Sequence, residues 1–235
     1  WLQPAHSQAA AKDLQKRVAA WQALGRPVTW LNAEETATRT GMPLYHGALH
    51  DASGGMINPL AYVQGLAHLA NTAGAAIVEN APVTGISARN GGWVVQTPHL
   101  EITARRVVMC TNASERGIAA RLGHAILPLT VFQMATEPLQ GDAVRRFSPN
   151  REPVSDTRAN IFTYRLDAAN RLISGGMALS PFTGERRMGE KILDRLVSEL
   201  GLDHRPRLAH AWRGTAAVTT DFLPHLYRLG PGFVG

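Results

Sequence analysis

The sequence predicts a mixed α/β fold in which two subdomains are interwoven. Apolar residues recur at helical spacing in 7–24 and in 185–200, which predicts amphipathic helices. A short, wholly apolar run at 107–110 is typical of a strand buried on both faces. From Leu127 onward apolar and polar residues partly alternate, which favours antiparallel strands. Helix, strand and meander signals thus come first, and a strand-rich half with one helix follows.

The composition fits one large domain or two small ones. The chain has 235 residues, of which 45% are hydrophobic and 18% are charged. The formal net charge is +6, but the basic residues are scattered, so we expect no nucleic-acid partner. The alternative for the arginines is a site for an anionic substrate or a cofactor phosphate. No apolar run approaches the roughly 20 residues that a membrane helix needs.

The sequence contains one cysteine, Cys110, so an internal disulfide cannot form. This usage fits a cytoplasmic location, where thiols stay reduced. We interpret Cys110 as a buried, inert thiol, because it ends an apolar run.

The first half of the chain carries three helix signals. The first predicted helix covers 7–24, and Asn32 with acidic residues behind it predicts a second helix start. Asn58 and Pro59 suit the N-cap and first position of a third helix. A short strand is expected after that helix, at 75–79.

A β-meander is predicted next. Residues 83–88 and 93–97 flank an Asn-Gly-Gly turn, and 100–103 can pair as a third strand. The apolar strand 107–110 follows and stops at small residues, 111–114, which let a ligand approach the backbone. In the second half, strands are predicted at 128–136, 161–166 and 171–178, and a helix at 185–200 with Met188, Ile192, Leu196 and Leu200 on one face.

The glycine and histidine residues form no motif that would hold a nucleotide phosphate or a metal ion. The last six residues, 230–235, match G-x-G-x-x-G, but no helix follows them to hold a diphosphate, so we interpret them as a turn. No histidine or cysteine pair has zinc spacing, and no metal site is expected. His46 and His50 are four residues apart, but the glycine between them argues against a metal-binding helix face.

Four side chains are candidates for contact with a substrate. His50 is either a loop histidine or a substrate contact. Arg213 could grip a carboxylate bidentately or form a structural ion pair, and the same alternatives apply to Arg165. Tyr164 precedes Arg165 in a predicted strand, so the two side chains should point to opposite faces. Trp212 is interpreted as a core residue.

Several segments together resemble the D-amino-acid-oxidase-like flavoproteins, a family that includes glycine oxidase, sarcosine oxidase and gamma-glutamylputrescine oxidase. Residues 47–59, GALHDASGGMINP, resemble the family's entry to a segment of its FAD domain. The run 107–113, VVMCTNA, resembles the strand and small-residue loop near the cofactor, in a form close to gamma-glutamylputrescine oxidases. Further resemblance lies at 74–83, 135–139, 164–166, 171–176, 212–214 and 221–224.

The resemblance implies a partial FAD-binding, Rossmann-like domain with a meander and an antiparallel-sheet substrate domain. It implies that 1–45 and 126–215 form the substrate domain, and that 46–125 and 216–235 belong to the FAD domain. FAD would lie near Val83, Thr111, Asn112 and Ala113, and His50, Tyr164, Arg165 and Arg213 would face the substrate.

The family's strand, G-x-G-x-x-G turn and helix, which hold the FAD diphosphate, have no counterpart in this sequence. The same holds for the family's glycine-rich C-terminal segment. We therefore expect the chain to be a piece of a longer enzyme and to bind FAD poorly by itself. We also expect an exposed sheet edge through which it self-associates.

The resemblance implies oxidation of a primary or secondary amine or an amino acid. A hydride would pass from the carbon next to nitrogen to flavin N5, water would hydrolyse the imine, and oxygen would reoxidise the flavin. Two alternatives stay open. One is a dehydrogenase of the same fold that uses another acceptor, and the other is an interaction module that has lost its cofactor.

Overall fold

The computed structural model describes residues 1–113, 118, 120–160, 162–177 and 183–235. The chain forms two compact units, each built from two stretches of sequence. Unit 1 comprises Trp1–Ile57 and Thr130–Gly214, and unit 2 comprises Asn58–Leu129 and Thr215–Gly235. The four-segment division expected from the sequence stays a prediction.

Helices and strands alternate in the first half and strands prevail in the second. The helices are α1 (Gln8–Ala23), α2 (Ala33–Thr40), α3 (Pro59–Thr72), α4 (Ala120–Gly123), α5 (Asp142–Arg146) and α6 (Glu185–Leu200). The strands are β1 (Leu2–Pro4), β2 (Val28–Leu31), β3 (Ala48–Asp51), β4 (Gly85–Arg89), β5 (Gly92–Gln96), β6 (Glu101–Ala104), β7 (Val107–Val108), β8 (Leu127–Pro138), β9 (Val154–Ser155), β10 (Thr163–Leu166), β11 (Arg171–Met177), β12 (Leu208–Val218), β13 (Arg228–Gly230) and β14 (Phe233–Val234).

Unit 1 is organised around an eight-stranded sheet with the order β12-β8-β11-β10-β9-β1-β3-β2. The pairs β8–β11, β10–β11 and β9–β10 are antiparallel, as the alternating sequence pattern predicted. The pair β1–β9 is parallel and joins the first strand of the chain to the strand-rich half. Ile161 and Ala178, the ends of two predicted strands, lie outside the described residues.

Helix α6 covers one face of this sheet. Its bounds are those predicted, and Ile192, Leu196 and Leu200 are buried with Phe132 and Leu172 of the sheet. The strand registers show which residues of the sheet face α6, because residues paired across neighbouring strands point to the same side of the sheet. Ser174 pairs with Met134 and Gly176 with Phe132, so these positions face α6.

Helix α1 packs on the opposite face, at the β1–β3–β2 end of the sheet. Ser7 caps it by accepting from the Ala10 amide, and Leu14 and Val18 are buried with Leu49 of β3. Farther along the same face, β8, β10 and β11 present residues that no described helix of unit 1 buries. We call this part of the sheet the open face.

Unit 2 contains the predicted meander, β4-β5-β6, and a second three-stranded sheet, β13-β14-β7. Trp93 of β5 meets Phe233 of β14 edge-on, with ring centroids 5.0 Å apart, and its indole donates to the Pro231 carbonyl at 2.8 Å. The last six residues comprise the end of β13, a turn and β14, with Gly232 at φ +72°. The interpretation of this glycine-rich run as a turn is therefore confirmed.

Helix α3 begins as predicted, with the Asn58 side chain accepting from the Ala61 amide at 3.1 Å and Pro59 in the first position. None of its residues is buried. Leu60, Val63, Leu66 and Leu69 are each about half-exposed or more. The sequence from Ala52 to Val78 carries no Asp, Glu, Lys or Arg, so this helix is both apolar and open to solvent.

Three expectations for unit 2 were wrong. Residues 75–79 form no strand, because no strand in the described part of the chain pairs with them. The apolar strand β7 is only two residues long, and Val108 is 66% exposed rather than buried on both sides. Cys110, expected to be buried, is exposed.

Strand β7 lies at the end of its sheet and pairs, within the described residues, only with β14. The expected open sheet edge is thus present, whereas self-association through it stays a prediction. In the described part of the chain, no helix combines the length and the hydropathy that crossing a membrane requires.

Candidate functional site

His50 lies on β3 and is connected to α2 through Glu152, which lies just before β9. Its Nε2 atom is 3.0 Å from Glu152 Oε1, and Glu152 Oε2 is 3.1 Å from Arg39 Nε on α2. Burial lowers the pKa of the His50 imidazole, and the neighbouring Arg39 charge lowers it further against the pull of Glu152. The imidazole is therefore already bonded to Glu152 in a structural cluster that also contains Arg39.

Tyr164 lies on β10 with only 1% of its surface exposed. Its hydroxyl donates to the Thr40 carbonyl at 3.2 Å, and burial raises its pKa well above the ordinary value. The registers Tyr164–Val154, Val154–Leu2 and Leu2–His50 place Tyr164 and His50 on the same, helix-covered face. Neither side chain reaches the open face.

Arg165, the next residue of β10, points to the open face, as strand alternation requires. It is half-buried, and this burial lowers the pKa of its guanidinium, with Asp167 acting in the opposite direction. Within the described residues it makes no salt bridge and no side-chain hydrogen bond. The half-buried Arg165 guanidinium therefore lacks an anionic partner among the described residues, whereas buried charges are normally paired.

Gln133 of β8 and Gly175 of β11 pair across the same open face. A Cβ atom at Gly175 would overlap the Gln133 amide nitrogen and lie 3.1 Å from the Phe132 carbonyl oxygen. Glycine is therefore needed for the Gln133 side chain to lie flat across β11. The Gln133 Oε1 atom is buried and accepts no hydrogen bond in the described part of the chain.

Arg213, on β12, lies on the side of α6 instead. Its Nε atom is 3.4 Å from Glu185 Oε1 at the start of α6, with both side chains about half-exposed. Ala211 also faces α6, because its Cβ atom would be 2.8 Å from a Cβ added at Gly189. Alternation then turns Trp212, 42% exposed, away from α6 and toward the open face, contrary to its interpretation as a core residue.

The four residues expected near FAD all belong to unit 2. Val83 is 39% exposed and lies in an irregular segment before β4. Thr111, Asn112 and Ala113 follow β7 after the two residues Met109 and Cys110, and β7 runs parallel to β14. Ligands of parallel sheets bind at the carboxyl ends of strands, which is where this loop lies.

These positions fit part of FAD. The small, accessible residues at 111–113 and the apolar Val83 suit contact with its flat ring systems. The one G-x-G-x-x-G run forms the β13–β14 turn and leads into a strand, so it offers no helix N-terminus to a diphosphate. The Asn112 amide bonds to backbone groups of unit 2 and is not free for the cofactor.

Arg165 was among the candidates that the sequence suggested, whereas Gln133 and Glu152 were not. The glycine pair at 175–176 inside a predicted strand was the available signal, because a glycine there often marks close approach of another group. Nothing local to Glu152 signals its contact with His50, which lies 102 positions earlier in the chain. Among the described residues, no cluster of three or more histidine, cysteine or acidic side chains could hold a metal ion.

Comparison with known proteins gives consistent matches. A family model described as "FAD dependent oxidoreductase" matches residues 1–234. The chain is 29% identical over 195 residues to a probable oxidoreductase OrdL of Haemophilus influenzae, covering 81% of this chain and 44% of that protein. It is 29% identical over 215 residues to the gamma-glutamylputrescine oxidoreductase of Escherichia coli, covering 89% of this chain and 49% of that protein.

The fold is also found in solved structures. The crystal structure of glycine oxidase from Geobacillus kaustophilus superposes with a TM-score of 0.79 and 21% identity, covering 99% of this chain and 63% of that one. At that identity the likeness shows the fold. The chain spans about half the length of the relatives that it matches by sequence.

Proposed function

Because the chain belongs to the FAD-dependent oxidoreductase family, whose model it matches over residues 1–234, we propose that it serves the oxidation of a carboxylate-bearing amine. Unit 1 supplies the substrate-binding surface on its open face. Unit 2 supplies part of the cofactor-binding surface, at Val83 and at 111–113.

The observation that carries the proposal is the state of Arg165. Its guanidinium keeps its charge at any physiological pH, is half-buried, and has no anionic partner in the described residues. A substrate carboxylate would pair with the Arg165 guanidinium through two parallel hydrogen bonds, the geometry in which arginine binds carboxylates most strongly. Binding the carboxylate at a fixed point orients the rest of the substrate.

The surroundings of Arg165 supply the remaining recognition. Ile173 pairs with Arg165, and Met177 and Trp212 add apolar surface to the open face. Gly175 is the diagonal neighbour of Arg165 on β11, and the Gln133 side chain, which lies over Gly175, offers an amide there. FAD, when bound, accepts the hydride, while these residues hold the substrate and exclude water. An amine that binds in its neutral form needs no general base.

The finer proposal is a gamma-glutamyl amine as substrate. The Escherichia coli relative is named for gamma-glutamylputrescine, a molecule that combines a carboxylate, an amide and an amine. Arg165 would take the carboxylate and Gln133 would face the amide. An α-amino acid, which lacks the amide, is the smaller substrate that the same arginine would accept.

The test compares two arginines and two substrates. Arg165→Met and Arg213→Met chains are assayed with excess FAD on gamma-glutamylputrescine and on its analogue with the carboxyl converted to a carboxamide. We expect Arg165→Met to raise KM for the carboxylate substrate by roughly tenfold to a hundredfold, the value of a charged hydrogen bond. The carboxamide should be affected far less.

Arg213→Met is the matched control, since Arg213 already has Glu185 as partner and should leave both KM values nearly unchanged. Equal losses on both substrates in the Arg165 variant would contradict carboxylate recognition. Hydrogen peroxide release identifies an oxidase. Turnover with a dye acceptor and no peroxide identifies the dehydrogenase alternative.

A further inference from the structure

Asn112, directly after the loop residue Thr111, makes two long-range hydrogen bonds within unit 2. Its Nδ2 atom donates to the Thr215 carbonyl at 2.7 Å. Its Oδ1 atom accepts from the Ala217 amide at 2.8 Å. Its backbone is left-handed, with φ +53°, a conformation that asparagine tolerates better than most residues.

The two bonds imitate a strand pairing. The carbonyl of one residue and the amide of the residue two further on point to the same edge of a strand, where a neighbouring strand would normally bond them. A carboxamide carries the same donor and acceptor as a peptide group. The Asn112 side chain thus stands in for a neighbouring strand at the end of β12.

From this geometry we propose that Asn112 is a positioning residue that fixes the loop 111–113, rather than a side chain that contacts FAD. The inference rests on the proposed function for the role of that loop as a cofactor wall. The hydrogen bonds hold the loop at the carboxyl end of β7, so Thr111 and Ala113 keep one conformation before the cofactor arrives. Such pre-organisation removes an ordering cost from binding.

Aspartate is the informative substitution. In Asn112→Asp an ionised carboxylate can accept from the Ala217 amide, but its second oxygen meets the Thr215 carbonyl oxygen with no proton between them. Protonation restores the missing donor. The loop should therefore be loosened at neutral pH and fixed again in acid, which a purely steric role for Asn112 does not predict.

Cys110 provides the probe, because it is exposed, is the only cysteine and lies two residues before Asn112. A nitroxide label on Cys110 is followed by electron paramagnetic resonance in the unchanged chain, Asn112→Gly and Asn112→Asp. We expect a mobile label in Asn112→Gly at every pH, since glycine keeps the left-handed backbone and removes only the amide. In Asn112→Asp the label should be mobile near pH 7 and restrained as the pH falls toward about 4.

Asn90→Gly is the matched control, because Asn90 is also left-handed, at φ +49°, and lies in the hairpin turn of the same unit. Its label spectrum should equal that of the unchanged chain. A label that is equally restrained in all Asn112 variants would overturn the proposal, and so would mobility in Asn112→Asp that ignores pH.

Titration with FAD tests the positioning role of Asn112 separately from the proposed function. Losing both hydrogen bonds should weaken FAD binding roughly tenfold relative to Asn90→Gly. A loosened loop with unchanged FAD affinity would overturn the positioning role. Absence of FAD binding in every chain, including the unchanged one, would contradict the proposed function and leave the hydrogen-bonded bridge to be judged by the label alone.

Discussion

Units 1 and 2 differ sharply in how many of their apolar side chains are buried. Of the buried hydrophobic side chains in the described residues, only Val94 and Phe233 belong to unit 2, and all the others lie in unit 1. Unit 2 instead contributes most of the exposed large hydrophobics, including the whole apolar surface of α3. A helix normally buries its apolar stripe against another element, so the exposure of the apolar side of α3 is unusual.

Comparison of α6 with α3 shows that the signals that define the ends of a helix are independent of the contacts that bury it. Helix α6 has an apolar stripe and a polar face, and it buries that stripe against its own unit. Helix α3 has good end signals and an uncharged polar stripe of Gln64, His68 and Asn71, but nothing among the described residues of this chain buries its apolar side. Most of the burial that stabilises this chain is therefore in unit 1.

The largest expected effect comes from truncating the core of unit 1. Leu196→Ala removes a fully buried α6 side chain and should lower the free energy of unfolding by about 2–5 kcal/mol. Leu66→Ala makes the same change on α3, where the side chain is 46% exposed, and should stay within about 0.5 kcal/mol. Urea unfolding followed by circular dichroism measures both values.

A comparable loss for the two variants would mean that α3 is buried in solution, and the contrast between the units would fail. A gain in stability for Leu66→Ala would sharpen the contrast, because alanine has the higher helix propensity and little contact is lost.

The second effect concerns the small core of unit 2. Trp93→Phe removes the indole N–H that bonds Pro231 and part of the ring surface that meets Phe233 and Gly230. The expected cost is about 1–2 kcal/mol, from one lost hydrogen bond and a partial cavity. Hydrogen exchange in β5 and β14 should accelerate accordingly, while α6 stays protected.

Trp21→Phe serves as the control in unit 1, because Trp21 of α1 packs against the cluster of Leu14, Val18 and Leu49 without an indole hydrogen bond in the described residues. It should change exchange in unit 2 very little. If Trp93→Phe accelerated hydrogen exchange equally in both units, the units would unfold together. That result would contradict the difference in stability that we infer from their difference in burial.

Local signals in the sequence predicted the helices and the meander well. Ser7, Asn32 and Asn58 each cap the helix that they were expected to begin, because capping depends only on residues within one turn. The opposite directions of Tyr164 and Arg165 followed from alternation alone.

Features that depend on distant partners could not be predicted. Residues 75–79 find no partner strand among the described residues and so form no strand, and the exposure of Cys110 follows from the open edge of β7. Gln133 lies across Gly175 because β8 and β11 pair in one register among several conceivable ones. Asn112 bonds residues more than 100 positions away, and His50 is held by Glu152 from another element.

The smallest expected effect is the pH response of the His50 cluster in unit 1. Burial, the Arg39 guanidinium and the amine of Trp1 lower the His50 pKa from its ordinary value of 6.5, while Glu152 opposes them. The folded state therefore binds the proton less readily than the unfolded state does. Stability from this group is fully present above about pH 6.5 and is lost as the pH falls below that value, toward the lowered folded-state pKa.

His50→Gln keeps a side-chain amide that can donate to Glu152 but cannot titrate, so its unfolding free energy should fall less steeply between about pH 7 and 5. His46→Gln removes an exposed histidine four positions earlier and should retain the original slope. Urea midpoints at several pH values measure the difference. Because no described residue of unit 2 belongs to this cluster, hydrogen exchange in the meander should show the same pH dependence in both variants. A change there would place the effect of His50 outside unit 1.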